Sequence, residues 1–264
     1  MSIQRKQQVR KQPAKWWVIA LVIGVLIAGG AGGLFMLHQH QVQGLADHIK
    51  PTVPAQLSPK TVAAQSVTPA MIKAGDVNYQ NTGASVPGGW QQVQKVRQTA
   101  KGTLLMRGYI AIPRQSGVTN AVVSMPIYEG VSNRVLAYGA GTSKANQVMG
   151  QENYGLQAHS MYGSDSWFFS PLKNSINVNQ HPKAYLTDGI NVYTYQLDKK
   201  QVLNRSHGEV MNNQPGDASQ ARLTLSTCLE TWNHPLDPVD RVIVSGHLVN
   251  QTPLQQSEHA NLFK

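Results

Sequence analysis

Residues 222–249 read RLTLSTCLETWNHPLDPVDRVIVSGHLV, and in this stretch two strand-like runs flank a loop. Apolar and polar residues alternate from the first residue to Cys228, which is typical of a strand with one buried face. The twelve residues that follow include two prolines, which interrupt regular structure. The second run opens at Arg241. If the two runs pair as an antiparallel hairpin, Cys228 and Arg241 lie at the same end of the sheet.

Short β-rich runs recur from about residue 102 onward, and glycine, proline, asparagine and aspartate separate them. The segment TDGIN, 187–191, predicts a hairpin turn because its Asp-Gly pair tolerates positive φ angles. About eight strands in roughly 150 residues predict a mainly β domain, closed as a barrel or packed as a sandwich, with one or two short helices. The predicted strands are 107–113, 121–130, 135–141, 154–159, 184–189, 190–198, 221–228 and 241–249.

An uncharged stretch of 22 residues, Trp16–Leu37, precedes this domain. At about 1.5 Å per residue, a helix of this length spans the roughly 30 Å hydrocarbon core of a bilayer. The basic residues before it favour a cytoplasmic amino terminus and an extracellular position for everything after it. A cleaved secretory signal is the alternative, but its apolar run is shorter and it ends in a small-x-small site. We therefore expect an N-terminal transmembrane helix and a single-pass protein of the cell membrane.

Composition divides the chain further. The residues after the apolar span are rich in proline, serine, threonine and alanine, as in a spacer, and short helices are predicted at 68–75 and 90–101. The expected segments are a cytoplasmic basic tail (1–15), a transmembrane anchor (16–37), an extracellular linker (38–101), a β-rich domain (102–250) and a C-terminal tail (251–264).

The charge pattern and the glycine and acidic motifs exclude several classes of function. The formal net charge is +10, but basic residues without any acid cluster in the first 15 positions, next to the apolar span, so no nucleic-acid partner is expected. The stretch YGAGT, 138–142, lacks the Gly-Lys-Ser/Thr ending of a phosphate-binding loop. Glu129, Glu152 and Asp165 are scattered and form no dense calcium-binding run, so no metal and no other cofactor is expected.

Cys228 is the single cysteine of the 264 residues. Outside the cytoplasm cysteines tend to be oxidised in pairs, so an unpaired one predicts an intermolecular bridge or a reactive thiol. A buried cysteine that acts as a small hydrophobe is the alternative. A guanidinium beside Cys228, as Arg241 would be in the hairpin, favours the thiolate electrostatically. The alternative for Arg241 is a solvated residue at the start of a strand.

A cysteine nucleophile also needs a group that handles protons, and histidine is the usual one. His159 closes a strand-like run and precedes a turn-rich loop, from which a rigid sheet projects side chains into a cleft. His247 lies within a strand-like run and ranks second. The remaining histidines lie in the linker, in loops or in the tail: His38, His40, His48, His181, His207, His234 and His259.

Three motifs together resemble the class A sortases, which are membrane-anchored cysteine transpeptidases of Gram-positive bacteria. They are TLSTC at 224–228 followed by Arg241, LQAHSM at 156–161, and YGAGTSKANQVMGQENY at 138–154. The resemblance covers roughly 102–250, and the expected anchor agrees with it. It implies an eight-stranded sortase barrel, and it ranks His159 well above His247 as the candidate catalytic histidine.

The resemblance also implies an activity and partners. The substrate would be a surface protein with an LPxTG-like sorting signal near its carboxyl terminus, and the acceptor would be the amine of a lipid-linked cell-wall precursor. Cys228 would attack the threonine carbonyl, and His159 would move the protons. Arg241 would hold substrate carbonyls or the oxyanion. Thr227 and the backbone amide of Leu229 would help to bind substrate.

Two other functions remain open at this point. A membrane-tethered cysteine peptidase that only hydrolyses would use the same acyl-enzyme and the same residues. A non-catalytic wall-binding scaffold module would keep the barrel without the chemistry, although an isolated thiol with an accompanying arginine argues against it.

Overall fold

The computed structural model describes residues 67–74, 77–80, 90–99, 101–102, 104–161, 163–234 and 237–264. The predicted cytoplasmic tail, the predicted transmembrane anchor and most of the predicted linker lie outside these residues. Within the described part of the chain, no helix has the length and apolar character needed to cross a bilayer.

In the described part of the chain, eight strands close into a barrel in the order β1-β2-β3-β4-β7-β8-β6-β5, with β5 pairing back to β1. The β2–β3 and β4–β7 pairs are parallel, and the other six are antiparallel. The prediction of a mainly β domain is confirmed. Because the strands close on themselves, the domain is a barrel and not a sandwich. The strands are β1 Met106–Ile112, β2 Val122–Tyr128, β3 Ala140–Thr142, β4 Asn153–Gln157, β5 Lys183–Thr187, β6 Asn191–Asn204, β7 Arg222–Leu229 and β8 Asp240–Pro253.

The barrel is filled by apolar side chains that alternate along each strand toward its interior. Burial of one such side chain contributes about 1.5–3 kcal/mol to folding, so this interior is the main source of stability. Completely buried members of the cluster include Ile110, Ile112, Ile127, Leu156, Leu186, Tyr195, Leu197, Leu223, Leu225 and Val244.

A second, smaller apolar cluster lies on the outer face of β1, β5 and β6. The carboxyl terminus covers it with a 3-10 turn, Ala260–Phe263, and Phe263 packs with Tyr109 and Tyr185. Strand β8 continues to Pro253, three residues beyond the predicted end of the domain at 250.

The turn between β5 and β6 forms as its sequence predicts. Gly189 has a φ angle of +87°, a region that glycine enters without steric penalty. The Asp188 carboxylate accepts hydrogen bonds from the amides of Ile190 and Asn191, both at 2.8 Å. This local bonding fixes the register with which β5 pairs with β6.

Four α-helices accompany the barrel in the described residues: α1 Pro69–Lys73, α2 Trp90–Thr99, α3 Asn133–Tyr138 and α4 Pro171–Asn174. The first two confirm the helices predicted in the linker. Helix α3 corrects the predicted strand 135–141, since only Ala140–Thr142 at its end is a strand. Ser132 caps α3 by accepting a hydrogen bond from the Val135 amide at 3.3 Å. A short apolar run fits a buried helix as well as a strand, so this cap and the surrounding packing decide its conformation.

Candidate active site

Strand β7 lies between β4 and β8 and presents two different faces. Leu223, Leu225 and Thr227 point into the barrel and are at most 2% exposed. Ser226 and the half-buried Cys228 alternate with them and therefore point outward. The register pairs Cys228 with Arg241 of β8, which confirms the predicted hairpin.

The outward face forms the floor of a cleft of about 710 Å³. Gln157 of β4, Ser226 of β7, and Arg241 and Ile243 of β8 contribute to this floor. The walls come from the end of β6, the segment that follows it and the loop after β7, with Leu203, Asn204, Arg205, Ser206, His207, Gly208, Val210, Met211 and Asp237. Because Ser226 is the preceding outward residue of β7 and Arg241 is the cross-strand partner of Cys228, the cleft adjoins the thiol.

The parallel pairing of β4 with β7 brings His159 to the same place. Gln157 is in register with Ser226, so continuation by two residues places His159 beside Cys228. The Ala158 amide donates to the Ser226 carbonyl at 3.2 Å, which extends the ladder beyond the end of β4. One residue after His159, the Ser160 hydroxyl lies 2.8 Å from the Cys228 carbonyl oxygen. The histidine and cysteine segments are therefore in direct contact.

His159 is enclosed by the loop that follows it. The side chain is 7% exposed, and the ring of Phe168 meets the imidazole edge-on with centroids 6.2 Å apart. Phe168 has a φ angle of +45°, which is uncommon for a bulky residue, while the next amide donates to the His159 carbonyl at 3.0 Å. Burial lowers the pKa of His159 to about 3, so the imidazole is neutral at physiological pH.

The ionisation of Cys228 differs from the expectation based on its arginine neighbour. Burial raises the pKa of the Cys228 thiol, and the opposing effect of the Arg241 guanidinium does not offset it. The resting site at neutral pH therefore holds a neutral thiol and a neutral imidazole. The sequence could indicate the arginine beside the sulfur, but it could not indicate how much water the fold excludes.

Arg241 is held in place by carbonyl groups at the end of the loop between β7 and β8. Its Nη1 donates to the carbonyl oxygens of Pro238 at 2.8 Å and Asp240 at 3.0 Å. Arg241 also lines the cleft. A fixed, permanently charged group at this position is suited to hold a substrate carbonyl or an oxyanion.

Thr227 and Leu229, the two residues predicted to bind substrate, lie on either side of Cys228. The Thr227 side chain is 2% exposed inside the barrel, and its hydroxyl donates to the Ala158 carbonyl at 2.9 Å. Leu229 is the half-buried last residue of β7, in register with Asp240. Their contact with substrate stays a prediction, while the position of Thr227 also fixes the residue before His159.

His247 lies at the other end of the same hairpin. It is in register with Arg222, six positions from Cys228, which corresponds to roughly 20 Å along an extended strand. Its Nδ1 lies 2.6 Å from a carboxylate oxygen of Asp198. The structure therefore separates the second-ranked histidine from the cleft.

The scattered carboxylates bind different partners. Glu129 accepts hydrogen bonds from Tyr79 and Thr142, and Asp165 accepts one from Asn174. No group of three or more potential metal ligands from histidine, cysteine, aspartate or glutamate occurs within the described ranges.

Three polar residues next to the site have no signal in the sequence. Glu230 follows Cys228 by two positions, Ser160 follows His159, and Lys173 lies in α4. Their side chains meet beside Cys228, where Lys173 pairs with Glu230 and Ser160 contacts the same carboxylate. Only the tertiary structure brings these segments together, because the three residues come from distant positions and follow no shared spacing.

Comparison with known proteins finds sortases both among curated proteins and among solved structures. The chain is 37% identical over 155 residues to sortase A of Streptococcus agalactiae, covering 57% of this chain and 56% of that protein. It is 30% identical over 141 residues to sortase A of Listeria monocytogenes, covering 53% and 55%. The crystal structure of Listeria monocytogenes sortase A superposes with a TM-score of 0.50 at 28% identity, covering 60% of this chain and 97% of that one.

The chain spans about half the length of the curated relatives it matches. The sequence profile of the sortase domain matches residues 110–249, which is more than half of the chain and includes the cleft, His159, Cys228 and Arg241. This chain therefore belongs to the sortase family, and within it to class A.

Proposed function

We propose that this protein is a cysteine transpeptidase that cleaves an LPxTG-like sorting signal between threonine and glycine and transfers the acyl part to an amine. One observation carries the proposal: the β4–β7 and β7–β8 registers bring His159 and Arg241 to the two sides of Cys228, next to a cleft. The substrate class follows from family membership.

The first half-reaction forms a thioester. His159 is neutral and accepts the thiol proton as the Cys228 sulfur attacks the threonine carbonyl carbon. The resulting imidazolium then donates this proton to the glycine nitrogen, the carbon–nitrogen bond breaks, and the glycine end leaves as an amine. The proton count balances, and the acyl group remains on Cys228.

The second half-reaction reverses these roles. An incoming amine attacks the thioester carbonyl, and His159 takes the proton that this amine loses. When the carbon–sulfur bond breaks, the proton returns to sulfur and the resting thiol is restored. Acyl transfer of this kind needs only these side chains, so we propose that no metal or other cofactor takes part and that a chelator leaves the rate unchanged.

Arg241 has two roles in this scheme. Its charge stabilises the thiolate against the effect of burial as the proton leaves, and its guanidinium stabilises the oxyanion of each tetrahedral intermediate. One donor of this kind contributes about 2.7–4 kcal/mol to lowering the barrier. We place Thr227 and the Leu229 amide beside the bound substrate as supporting groups.

The cellular setting is part of the proposal. Residues 16–37 would anchor the protein with its amino terminus in the cytoplasm and its catalytic barrel outside the cell. There it would meet surface proteins that carry the sorting signal and a lipid-linked peptidoglycan precursor as the acceptor amine. Attachment to the membrane would keep the enzyme where both substrates are delivered.

Mass spectrometry tests this function. The purified protein is mixed with a sorting-signal peptide, and an acyl adduct on Cys228 is expected. When a short glycine peptide is added, a ligated product is expected, whereas cleaved peptide alone would indicate a peptidase that only hydrolyses. Absence of any adduct would favour a non-catalytic wall-binding module.

A further inference from the structure

We propose that the buried cluster of Ser160, Lys173 and Glu230 positions the histidine segment against Cys228, and that the balance of its two charges sets the reactivity of the thiol. The proposal concerns residues outside the three predicted catalytic side chains. It rests on the proposed function only where it concerns turnover, since the reactivity of a thiol is measurable without any substrate.

The cluster joins three segments that meet only in the folded protein. The Lys173 ammonium lies 3.0 Å from one carboxylate oxygen of Glu230, and the Ser160 hydroxyl contacts the other. Ser160 also lies 2.8 Å from the Cys228 carbonyl oxygen. Lys173 donates to the Met161 carbonyl at 2.8 Å. The segment His159–Met161 is thereby held at the strand that carries the nucleophile and at helix α4.

The two charges are almost completely removed from water. The side chains of Lys173 and Glu230 are 8% and 7% exposed. Burial of an ion pair is weak grounds for a stabilising role, because desolvation offsets much of the attraction. Its position two residues from the nucleophile, with the serine hydroxyl bridging to the nucleophile's own carbonyl, instead indicates a role in the site.

Charged groups act on the Cys228 thiol from several of the elements around it. Arg241 acts from β8, Arg205 from the end of β6 and Lys173 from α4, and all three favour the thiolate. Glu230 opposes them from the position directly after β7. The neighbouring His159 is titratable as well, and it is neutral.

The members of the buried pair thus influence the sulfur in opposite directions. While both are present, each charge opposes the effect of the other on the thiol, because the two charged groups lie only 3.0 Å apart. If one is removed, the charge of the other is left unbalanced in a medium of low polarity, where a single charge has a large effect.

The decisive experiment is the pH dependence of Cys228 alkylation by iodoacetamide in the full-length protein purified in detergent. Cys228 is the only cysteine, so the reaction reports one site without background. Glu230→Gln should move the midpoint to lower pH and accelerate alkylation at neutral pH about three- to ten-fold, as expected for one uncompensated charge. Lys173→Met should move the midpoint to higher pH and slow the reaction by a similar factor.

Glu129→Gln provides the matched control. Glu129 is a buried carboxylate whose partners Tyr79, Thr142 and Arg107 lie outside the Ser160, Lys173 and Glu230 cluster. It should leave the alkylation profile unchanged even if it destabilises the fold. Shifts in the same direction for the two cluster variants, or no shift in either, would overturn the charge-balance part of the proposal.

Ser160→Ala tests the positioning part separately, because it keeps both charges and removes only the hydroxyl. We expect kcat for peptide transfer to fall about ten-fold, consistent with the sensitivity of catalysis to small misplacements, with KM and the alkylation profile unchanged. Ser160→Thr, which retains a hydroxyl, should restore kcat. A wild-type kcat in Ser160→Ala would contradict the positioning role.

If a single charge variant fails to fold, the double variant Lys173→Gln with Glu230→Gln leaves no unpaired charge and gives a further test. Its alkylation midpoint should lie near that of the unmodified protein, and a displaced midpoint would refute the compensation. A wild-type protein that alkylates normally but transfers no peptide would count against the proposed function and not against this inference.

Discussion

The two faces of strand β7 show how one segment serves both stability and chemistry. Inward residues such as Leu223 and Leu225 are completely buried in the barrel, whereas the outward residue Ser226 lines the cleft and the outward Cys228 adjoins it. The alternation of a strand separates these tasks residue by residue. A closed barrel has no free edge, so the outward face is carried on a support that is fixed from both sides.

Thr227 is the exception that connects the two faces. It points inward, yet its hydroxyl holds the Ala158 carbonyl next to His159. An inward residue therefore contributes to the geometry of the outward site. The two faces differ in the direction of their side chains, but both contribute to the site.

The largest expected effect comes from Cys228→Ala. Loss of a nucleophile in a comparable catalytic group costs about 10⁶-fold in kcat, so we expect transfer to become undetectable and the acyl adduct to vanish. The free energy of unfolding should change by less than about 1 kcal/mol, because this outward side chain is only partly buried. Peptide transfer and urea unfolding measure the two quantities, and a severe loss of stability would break the distinction between the faces.

His159→Asn sharpens the comparison through pH. The imidazole has a pKa of about 3 in the fold and an ordinary one in the unfolded chain, so the unfolded chain binds the extra proton. Stability should fall as pH drops from about 6.5 toward 3, by about 1.4 kcal/mol per pH unit from this residue. Unfolding free energies across this range should lose that slope in the variant, and an unchanged slope would show that His159 is not buried as described.

Leu225→Ala tests the inward face directly. Truncation of a fully buried leucine leaves a cavity and should lower the free energy of unfolding by about 2–5 kcal/mol. The folded variant should still alkylate at Cys228 with an unchanged pH profile. A shifted profile would mean that the core transmits its packing to the thiol.

Arg241→Lys tests the outward face without removing its charge. A lysine lacks the planar fork that the Pro238 and Asp240 carbonyls hold in place, so oxyanion stabilisation should weaken. We expect kcat to fall about 10²–10³-fold, with unfolding nearly unaffected. Steady-state kinetics of peptide transfer measure this loss of kcat. Near-normal turnover would show that a positive charge at position 241 is sufficient and that the planar fork is not required.

The smallest effect is expected for Thr227→Val, which keeps the shape and removes the hydroxyl. The Ala158 carbonyl then loses a buried partner, at a cost of about 1–3 kcal/mol in stability. If Thr227 also positions the histidine segment, kcat should fall while KM stays constant. A change in KM alone would instead support its predicted contact with substrate.

The sequence predicted those features of the fold that are encoded locally. Strong alternation predicted β7 and β8, and the Asp-Gly pair predicted the turn at Gly189. The run 135–141 was predicted wrongly, because a short apolar segment has no distinct period and the cap at Ser132 determines its helix.

For the candidate site, the sequence alone determined the single thiol, the alternation that turns it outward, and the hairpin that places Arg241 opposite it. Only the tertiary structure decided the rest. The β4–β7 pairing joins segments 69 residues apart, and the Ser160, Lys173 and Glu230 cluster forms around it. Burial then keeps both Cys228 and His159 neutral, against the arginine's effect on the thiol. The physical reason is that desolvation and non-local hydrogen bonds depend on neighbours supplied by the whole fold, whereas strand alternation and turn geometry depend on a few adjacent residues.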